Sequence, residues 1–156
     1  PNMLRDHPAT ASLQVRHQCG AKHLDQTRNN YRDAGVEADV AAFVDDMAAA
    51  YAWSDLVICR AGALTLAELA AAGVGSILVP YPNAVDDHQT QNAQAMVAAD
   101  AALLVAEGEG FVARLAAAFE IVTDRPRLLQ MAQNARTLAK PDAAARIADA
   151  CMQVAA

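Results

Sequence analysis

The sequence has 156 residues, of which 54 % are hydrophobic, much of that alanine, and only 4 % aromatic, and its formal net charge is −6. That length buries one core, as one domain or one domain with a tail, and the alanine-rich, aromatic-poor balance favours a helix-rich α/β protein. The acidity suits a solvated surface, and the lack of any long basic cluster argues against a nucleic-acid partner. Cys19, Cys59 and Cys151 are odd in number, widely spaced and outside any CxxC or Cys/His ligand pattern, so no metal site is expected and a reducing compartment suits them best. No signal-peptide pattern is visible, and no apolar run reaches membrane-spanning length.

The opening stretch, Pro1-Asn2-Met3-Leu4-Arg5-Asp6-His7-Pro8, reads as the end of a preceding helix rather than a natural start, so the chain is expected to be a piece of a longer one. Pro8 and Ser12 break that tail into a loop. Leu13 to His17 is short and β-like, and Gln18-Cys19-Gly20 reads as a turn. Residues 22–34 carry Leu24 and Tyr31 at helical spacing, with Gly35 as the expected C-cap. Ala38 to Val44 reads as the second strand. Asp45 and Asp46 then stand ready to cap a short helix through Met47, Ala50 and Tyr51, packed by Tyr51 and Trp53.

The apolar run from Leu56 to Cys59 predicts a buried strand, followed by a helix from Ala63 to Ala72 that Gly73 ends. Ser76 to Pro80 is a further buried strand, and Pro80-Tyr81-Pro82-Asn83 forces a loop. Asp86-Asp87 opens a helix to about Ala99, and Asp100 to Val105 returns to strand. From about Gly110 the chain is helical, with breaks near Asp124-Arg125-Pro126 and Lys140-Pro141. Strands separated by helices of roughly 10 to 15 residues imply βαβ units, right-handed crossovers and a parallel sheet.

Ligands of such sheets bind beyond the carboxyl ends of the strands. Three stretches leave strands there and are expected to share one crevice: Phe43 to Met47, Arg60 to Glu68, and Pro80 to Asn92. In the second, a strand ends in a tight turn at Gly62 and hands over to a helix whose free N–H groups and partial positive charge suit phosphate. Gly62 has no Cβ to keep an anion from that backbone. Thr65 and Glu68 suit a capping box, and Glu68 could equally face a sugar hydroxyl. The turn therefore reads either as a diphosphate site for a nucleotide sugar or as an ordinary capped βα turn. It is neither GxGxxG nor a Walker loop, which disfavours nicotinamide dinucleotides and nucleoside triphosphates. Gln89 and Asn92 lie three apart beside His88, and amides both donate and accept, as reading sugar hydroxyls requires. Around Phe43 to Met47, an apolar wall with free backbone groups suits a flat base, and core packing with capping by Asp45 is the plainer account.

Other reactive residues read as structural. His17 and His23 lack a carboxylate at an informative spacing and are expected to be satisfied histidines. Cys59 is expected to be a buried small hydrophobe. No Ser/His/Asp arrangement and no pair of catalytic carboxylates stands out, so the sequence presents a binding site more clearly than a catalyst.

Taken together, these stretches resemble the C-terminal half of the MurG family of lipid II-forming N-acetylglucosaminyltransferases. The resemblance is carried by Phe43-Val44-Asp45-Asp46-Met47-Ala48-Ala49-Ala50-Tyr51, Cys59-Arg60-Ala61-Gly62-Ala63-Leu64-Thr65, Glu68-Leu69, Val79-Pro80 and Asp86-Asp87-His88-Gln89-Thr90-Gln91-Asn92-Ala93. His17-Gln18-Cys19-Gly20 is similar to the family's His-Gln-x-Gly, whose third position is more often Thr or Ser. The resemblance runs from about Leu13 onward. It implies a Rossmann-like parallel sheet flanked by helices, one half of a GT-B enzyme that moves GlcNAc from UDP-GlcNAc to lipid I with inversion, using no catalytic metal or other cofactor. In that reading Val44 contacts uracil through its backbone, with Met47 near the base. Gly62, Ala63, Leu64 and Thr65 meet the diphosphate, Glu68 accepts from the ribose, and Gln89 with Asn92 read the GlcNAc hydroxyls.

The same resemblance implies that residues 1–156 are the donor domain, lacking its first strand and the family's Gly-Gly-Ser-Gln-Gly loop. The acceptor-binding N-terminal domain, which carries the candidate base and the contacts to lipid I and the membrane, is absent, so no catalytic residue is expected here and the chain alone is expected to be inactive. The full protein is expected to sit peripherally on the cytoplasmic side of a bacterial inner membrane, in peptidoglycan synthesis, cell shape and division. The alternatives are another GT-B transferase with a different donor or acceptor, a pure interaction domain, or a flavodoxin-like regulatory module with Asp45 or Asp46 as phospho-acceptor. The last needs a lysine after a late strand, and Lys140 falls instead in the helical tail before Pro141.

Overall fold

Apolar runs separated by helical segments fold here into parallel strands covered by helices. The computed structural model describes residues 1–8, 10–82 and 87–154. In chain order the elements are α1 (Asn2–Arg5), a 3-10 turn at Thr10–Ser12, β1 (Arg16–Gln18), a second 3-10 turn at Ala21–His23, α2 (Leu24–Asp33), β2 (Asp39–Ala41), α3 (Met47–Trp53) and β3 (Val57–Cys59). They continue with α4 (Ala63–Ala72), β4 (Ser76–Leu78), α5 (His88–Ala98), β5 (Ala102–Leu104), α6 (Phe111–Phe119) and its 3-10 extension to Thr123, α7 (Arg125–Thr137) and α8 (Ala143–Val154).

All ladders among the described residues are parallel. β1 pairs with β2, Arg16 opposite Asp39, and β4 lies between β3 and β5, with Ser76 opposite both Val57 and Ala102. A central parallel strand needs apolar residues on both faces, and all of Ser76, Ile77 and Leu78 are buried. Successive side chains point to opposite faces. Leu78 accordingly joins a core with Tyr51, Leu66, Leu69, Met96 and Ala135, whereas Ile77 joins Leu4, Tyr31, Val36, Val40, Val105 and Phe119 on the other side. The second core also takes in Val15 and Leu56, so side chains link the two sheets where backbone bonds do not.

The ladder bonds show which strand edges are open. In parallel pairing alternate residues of a strand bond to one neighbour, and those between face the other side. Asp39 N–H donates to Val15 O (2.8 Å) and Cys19 N–H to Ala41 O (3.1 Å), so the backbone groups of Arg16 and Gln18 face away from β2. Val57 N–H donates to Gly75 O (3.2 Å) and Val79 N–H to Cys59 O (2.9 Å), which turns Ile58 away from β4. The outer edge of β2 is covered, because Arg28 donates to Val40 O at 3.2 Å. The Arg16 guanidinium of β1 stands 4.2 Å over the ring of Trp53, the last residue of α3.

Local signals set the helix ends. Gly73 ends α4 in the left-handed region (φ 73°), its N–H donating to Leu69 and Ala70 carbonyls. Asp46 caps α3 through Ala49 N–H at 2.8 Å, and Asp124 caps α7 through Arg127 N–H at 3.0 Å, with Pro126 in the first turn. Gly35 follows α2 as expected and donates to Arg32 O at 2.9 Å. Gly75 is needed for another reason: a Cβ there would stand 2.9 Å from the Met131 Cβ, so α7 rests directly on the backbone entering β4.

Three expectations need correction. The strands are shorter than the apolar runs: β1 includes Gln18, which was expected in a turn, and β2 ends at Ala41, because Phe43 and Val44 have left the ladder. The capping box at Thr65 and Glu68 does not form, because Gly62 is the N-cap and α4 has no side-chain cap. Trp53 is not fully packed, being 38 % exposed beneath Arg16. Asn83 and Asp86 lie outside the described residues.

Candidate functional site

Because β3, β4 and β5 run parallel, the loops that follow them gather on one edge. The β3 loop opens α4. Gly62 has extended backbone (φ −69°) and no side chain, so the first-turn N–H groups of α4 have no side-chain cap. No acidic residue sits in that first turn to offset the positive helix end. A Cβ on Gly62 would meet only Thr65 Oγ1, at 3.8 Å. Packing within the chain therefore does not demand glycine at this position, and the open approach to the helix start is what a side chain there would obstruct. Ala63 and Leu64 are exposed and Thr65 is half-buried.

The two amides reach this turn from α5. Asn92 Nδ2 donates to Ala61 O at 3.2 Å, tying α5 to the residue before Gly62 and leaving its carbonyl oxygen to accept. Gln89 Oε1 accepts from Tyr81 N–H at 2.9 Å, and its amide nitrogen is the donor end of the same group. Glu68 lies in the second turn of α4, where its Oε2 accepts from Tyr51 OH at 3.0 Å. Burial, then the Glu68 bond and charge, raise the Tyr51 phenol above its ordinary value, so it stays a donor that orients the carboxylate.

The Phe43 to Met47 stretch approaches from the two-stranded side. Val44 N–H donates to Gln18 Oε1 at 2.9 Å, so the side chain of Gln18 holds the backbone expected to meet a base. Phe43 is 69 % exposed beside it, and Met47 is half-buried against the first core. Val44 thus offers its carbonyl, while its N–H already has a partner within the chain.

Arg60, Tyr51 and Gln18 were not singled out for these roles. Their partners lie 17 to 26 residues away for Tyr51 and Gln18, and Arg60 bonds to Val79 and Pro80, 19 and 20 residues on, as well as to Glu107. No local spacing encodes such contacts. His17 is a satisfied histidine, 3.2 Å from Tyr31 OH, and burial lowers its pKa. Burial pushes the half-buried Cys59 thiol up to about 11, in keeping with a small hydrophobe. A cavity of about 710 Å³ between α1 and α6, lined by Met3, His7, Phe111, Ala116 and Glu120, shares no residue with the crevice. Among the described residues no His, Cys, Asp and Glu cluster could hold a metal, and no helix is long and apolar enough to cross a membrane.

Residues 2–147 match the family model described as the glycosyltransferase family 28 C-terminal domain. A UDP-N-acetylglucosamine--N-acetylmuramyl-(pentapeptide) pyrophosphoryl-undecaprenol N-acetylglucosamine transferase of Marinobacter nauticus is 52 % identical, over 99 % of this chain and 43 % of the relative. A protein of the same name from Xanthomonas oryzae pv. oryzae is 56 % identical over 96 % of the chain and 33 % of its own length. The crystal structure of Acinetobacter baumannii MurG superimposes with a TM-score of 0.86 at 38 % identity, covering 97 % of this chain and 48 % of that one. The chain thus spans less than half the length of these relatives, and its sheet and helices have the Rossmann-like arrangement of that structure. With the match running over nearly its whole length, the chain belongs to the glycosyltransferase family 28 C-terminal domains.

Proposed function

We propose that this chain is the UDP-GlcNAc-binding half of an N-acetylglucosaminyltransferase that converts lipid I to lipid II. The observation that carries the reading is the start of α4: it has no side-chain cap and no acid in its first turn, and Asn92 is tethered to the residue before Gly62. In this reading the N–H groups of Ala63, Leu64 and Thr65 meet the diphosphate. Glu68, oriented by Tyr51, accepts from the ribose, and Gln89 and Asn92 bind the sugar hydroxyls. Val44 and Met47 form one wall for the uracil, with Val44 C=O as the hydrogen-bonding group left free by Gln18.

The chemistry asked of this half is electrostatic. As the glycosidic bond breaks, negative charge gathers on the departing UDP, and donors already aimed at the diphosphate stabilise it without reorganising. Deprotonating the acceptor hydroxyl calls for a base, and the reading assigns none to this chain. The rest of the protein supplies that base, the lipid I contacts and the approach to the cytoplasmic face of the membrane, so the chain alone turns over no substrate.

The domain division belongs to the same proposal. The open edges of β1 and β3 suit one further parallel strand between them, which completes the order of a doubly wound sheet and brings a glycine-rich loop over the diphosphate. The test is a titration of labelled chain with UDP-GlcNAc followed by NMR, with UDP-glucose and NAD as controls. Shifts at Val44, Ala63 to Glu68 and Gln89 that weaken in Glu68→Ala are expected, and shifts with NAD instead would sink the reading.

A further inference from the structure

Arg60 follows β3 directly, and the binding scheme above gives it no ligand. Its Nη1 donates to Val79 O and Pro80 O, both at 3.2 Å, and its Nη2 stands 2.6 Å from Glu107 Oε1 beyond β5. The guanidinium also lies 5.4 Å over the Tyr81 ring. One side chain therefore joins the loops after all three strands of the larger sheet. The planar fork of Arg60 serves two carbonyls and a carboxylate from separate nitrogens while its face lies over a ring, whereas the three donors of a lysine share one nitrogen and cannot span the same partners in that geometry.

This junction leads to one side chain of the proposed sugar site. Pro80 O is held by Arg60, Tyr81 is the next residue and stacks under the guanidinium, and Tyr81 N–H donates to Gln89 Oε1 at 2.9 Å. The Gln89 carboxamide is thereby fixed at its oxygen end. Besides the Arg60 clamp, buried Val79 is tied to the end of β3 by its N–H to Cys59 O at 2.9 Å, whereas Pro80 O and the Tyr81 ring meet the guanidinium itself. The charge of Arg60 is already matched by Glu107, and both are partly solvent-exposed (47 % and 32 %), so the pair adds little to global stability.

We infer that Arg60 is a positioning residue for donor-sugar recognition: clamped by Glu107, it sets the 79–81 backbone and through Tyr81 N–H fixes the orientation of Gln89. The inference rests on the reading of Gln89 as a sugar-contacting group. It separates Arg60 from the diphosphate contacts, which the α4 start supplies.

The experiment compares UDP-GlcNAc and UDP binding to the wild-type chain, Arg60→Lys, Gln89→Ala and the double variant. NMR of the free proteins is recorded in parallel. Arg60→Lys is expected to shift the Tyr81 amide and the Gln89 side-chain amide resonances before any ligand is added. It should also lower the preference for UDP-GlcNAc over UDP by about tenfold, the effect of one lost hydrogen-bonded contact, and leave UDP binding within about twofold of wild type. The double variant should lose no more than Gln89→Ala alone, because both changes act on one contact.

Equal weakening of UDP and UDP-GlcNAc in Arg60→Lys would make Arg60 a direct phosphate ligand and overturn the inference. So would a preference lost in Gln89→Ala but retained in Arg60→Lys. A wild-type chain with no preference for UDP-GlcNAc over UDP would overturn the reading of Gln89 itself, and the inference with it. The free-protein spectra would still report whether Arg60 sets Tyr81 and Gln89.

Discussion

β4 and β1 are both three-residue parallel strands, yet every residue of β4 is buried while β1 has only its middle residue partly covered. β4 is bonded on both sides, packed by helices on both faces and crossed at its entry by α7. Among the described residues β1 has one bonded neighbour, and its other edge pairs with no strand. The loops they carry differ accordingly. Those of the larger sheet are tied together by Arg60, Gln89 and Asn92, whereas the Phe43 to Met47 segment is held to β1 by the Gln18 contact alone among the bonds the structure gives. The region proposed to bear the diphosphate and sugar is cross-tied within the chain, and the region proposed to bear the base has fewer such ties among the bonds the structure gives.

The comparison is broken most forcefully at the centre of the larger sheet. Ile77→Ala removes a fully buried side chain of β4 and is expected to cost about 2–5 kcal/mol, read from denaturant unfolding. A loss below 1 kcal/mol would mean that β4 is not the centre of the fold. Gly75→Ala tests the same half by overpacking: a Cβ pressed on Met131 should cost about 1–3 kcal/mol, and a silent change would show that α7 moves aside easily.

Changes on the other half should be smaller. Asp46→Ala removes the cap on Ala49 N–H and is expected to cost about 1 kcal/mol. Gln18→Ala frees the Val44 amide, whose hydrogen exchange should quicken about tenfold relative to the amides of β4, matching the loss of one net hydrogen bond. If Val44 exchanges no faster, backbone geometry rather than Gln18 holds the segment.

The smallest effect links the halves through pH. The Tyr51 phenol is raised in the folded protein above its ordinary 10.0, so the stability it contributes is full below pH 10 and is lost as pH rises toward the folded value. Tyr51→Phe lacks this titration. The stability gap between wild type and Tyr51→Phe should therefore narrow above pH 10, and a gap that widens there would contradict the burial of the phenol together with its bond to Glu68.

The features legible in the sequence were those written in adjacent residues. An apolar run between Gly62 and Gly73, with no breaker inside, fixes α4 at Ala63 to Ala72, and Asp124-Arg125-Pro126 marks the start of α7 because a cap and a proline act within one turn. The consecutive apolar residues of β4 announce a strand covered on both faces. Thr65 and Glu68 misled for the same local reason: their spacing suits a capping box, but a box needs its Thr at the N-cap, and Gly62 occupies that place.

The sequence by itself determined the order of strands and helices and their parallel pairing, because periodicity and chain-end signals act over a few residues. Tertiary structure alone decided what the loops after those strands bond to. Glu68 meets Tyr51 from a different helix, Gln18 holds Val44 across 26 residues, and Arg60 gathers Val79, Pro80 and Glu107 from beyond two other strands. Such contacts depend on which backbone groups remain free once the ladders and helices have formed. That remainder is settled by packing in three dimensions and by no spacing along the chain.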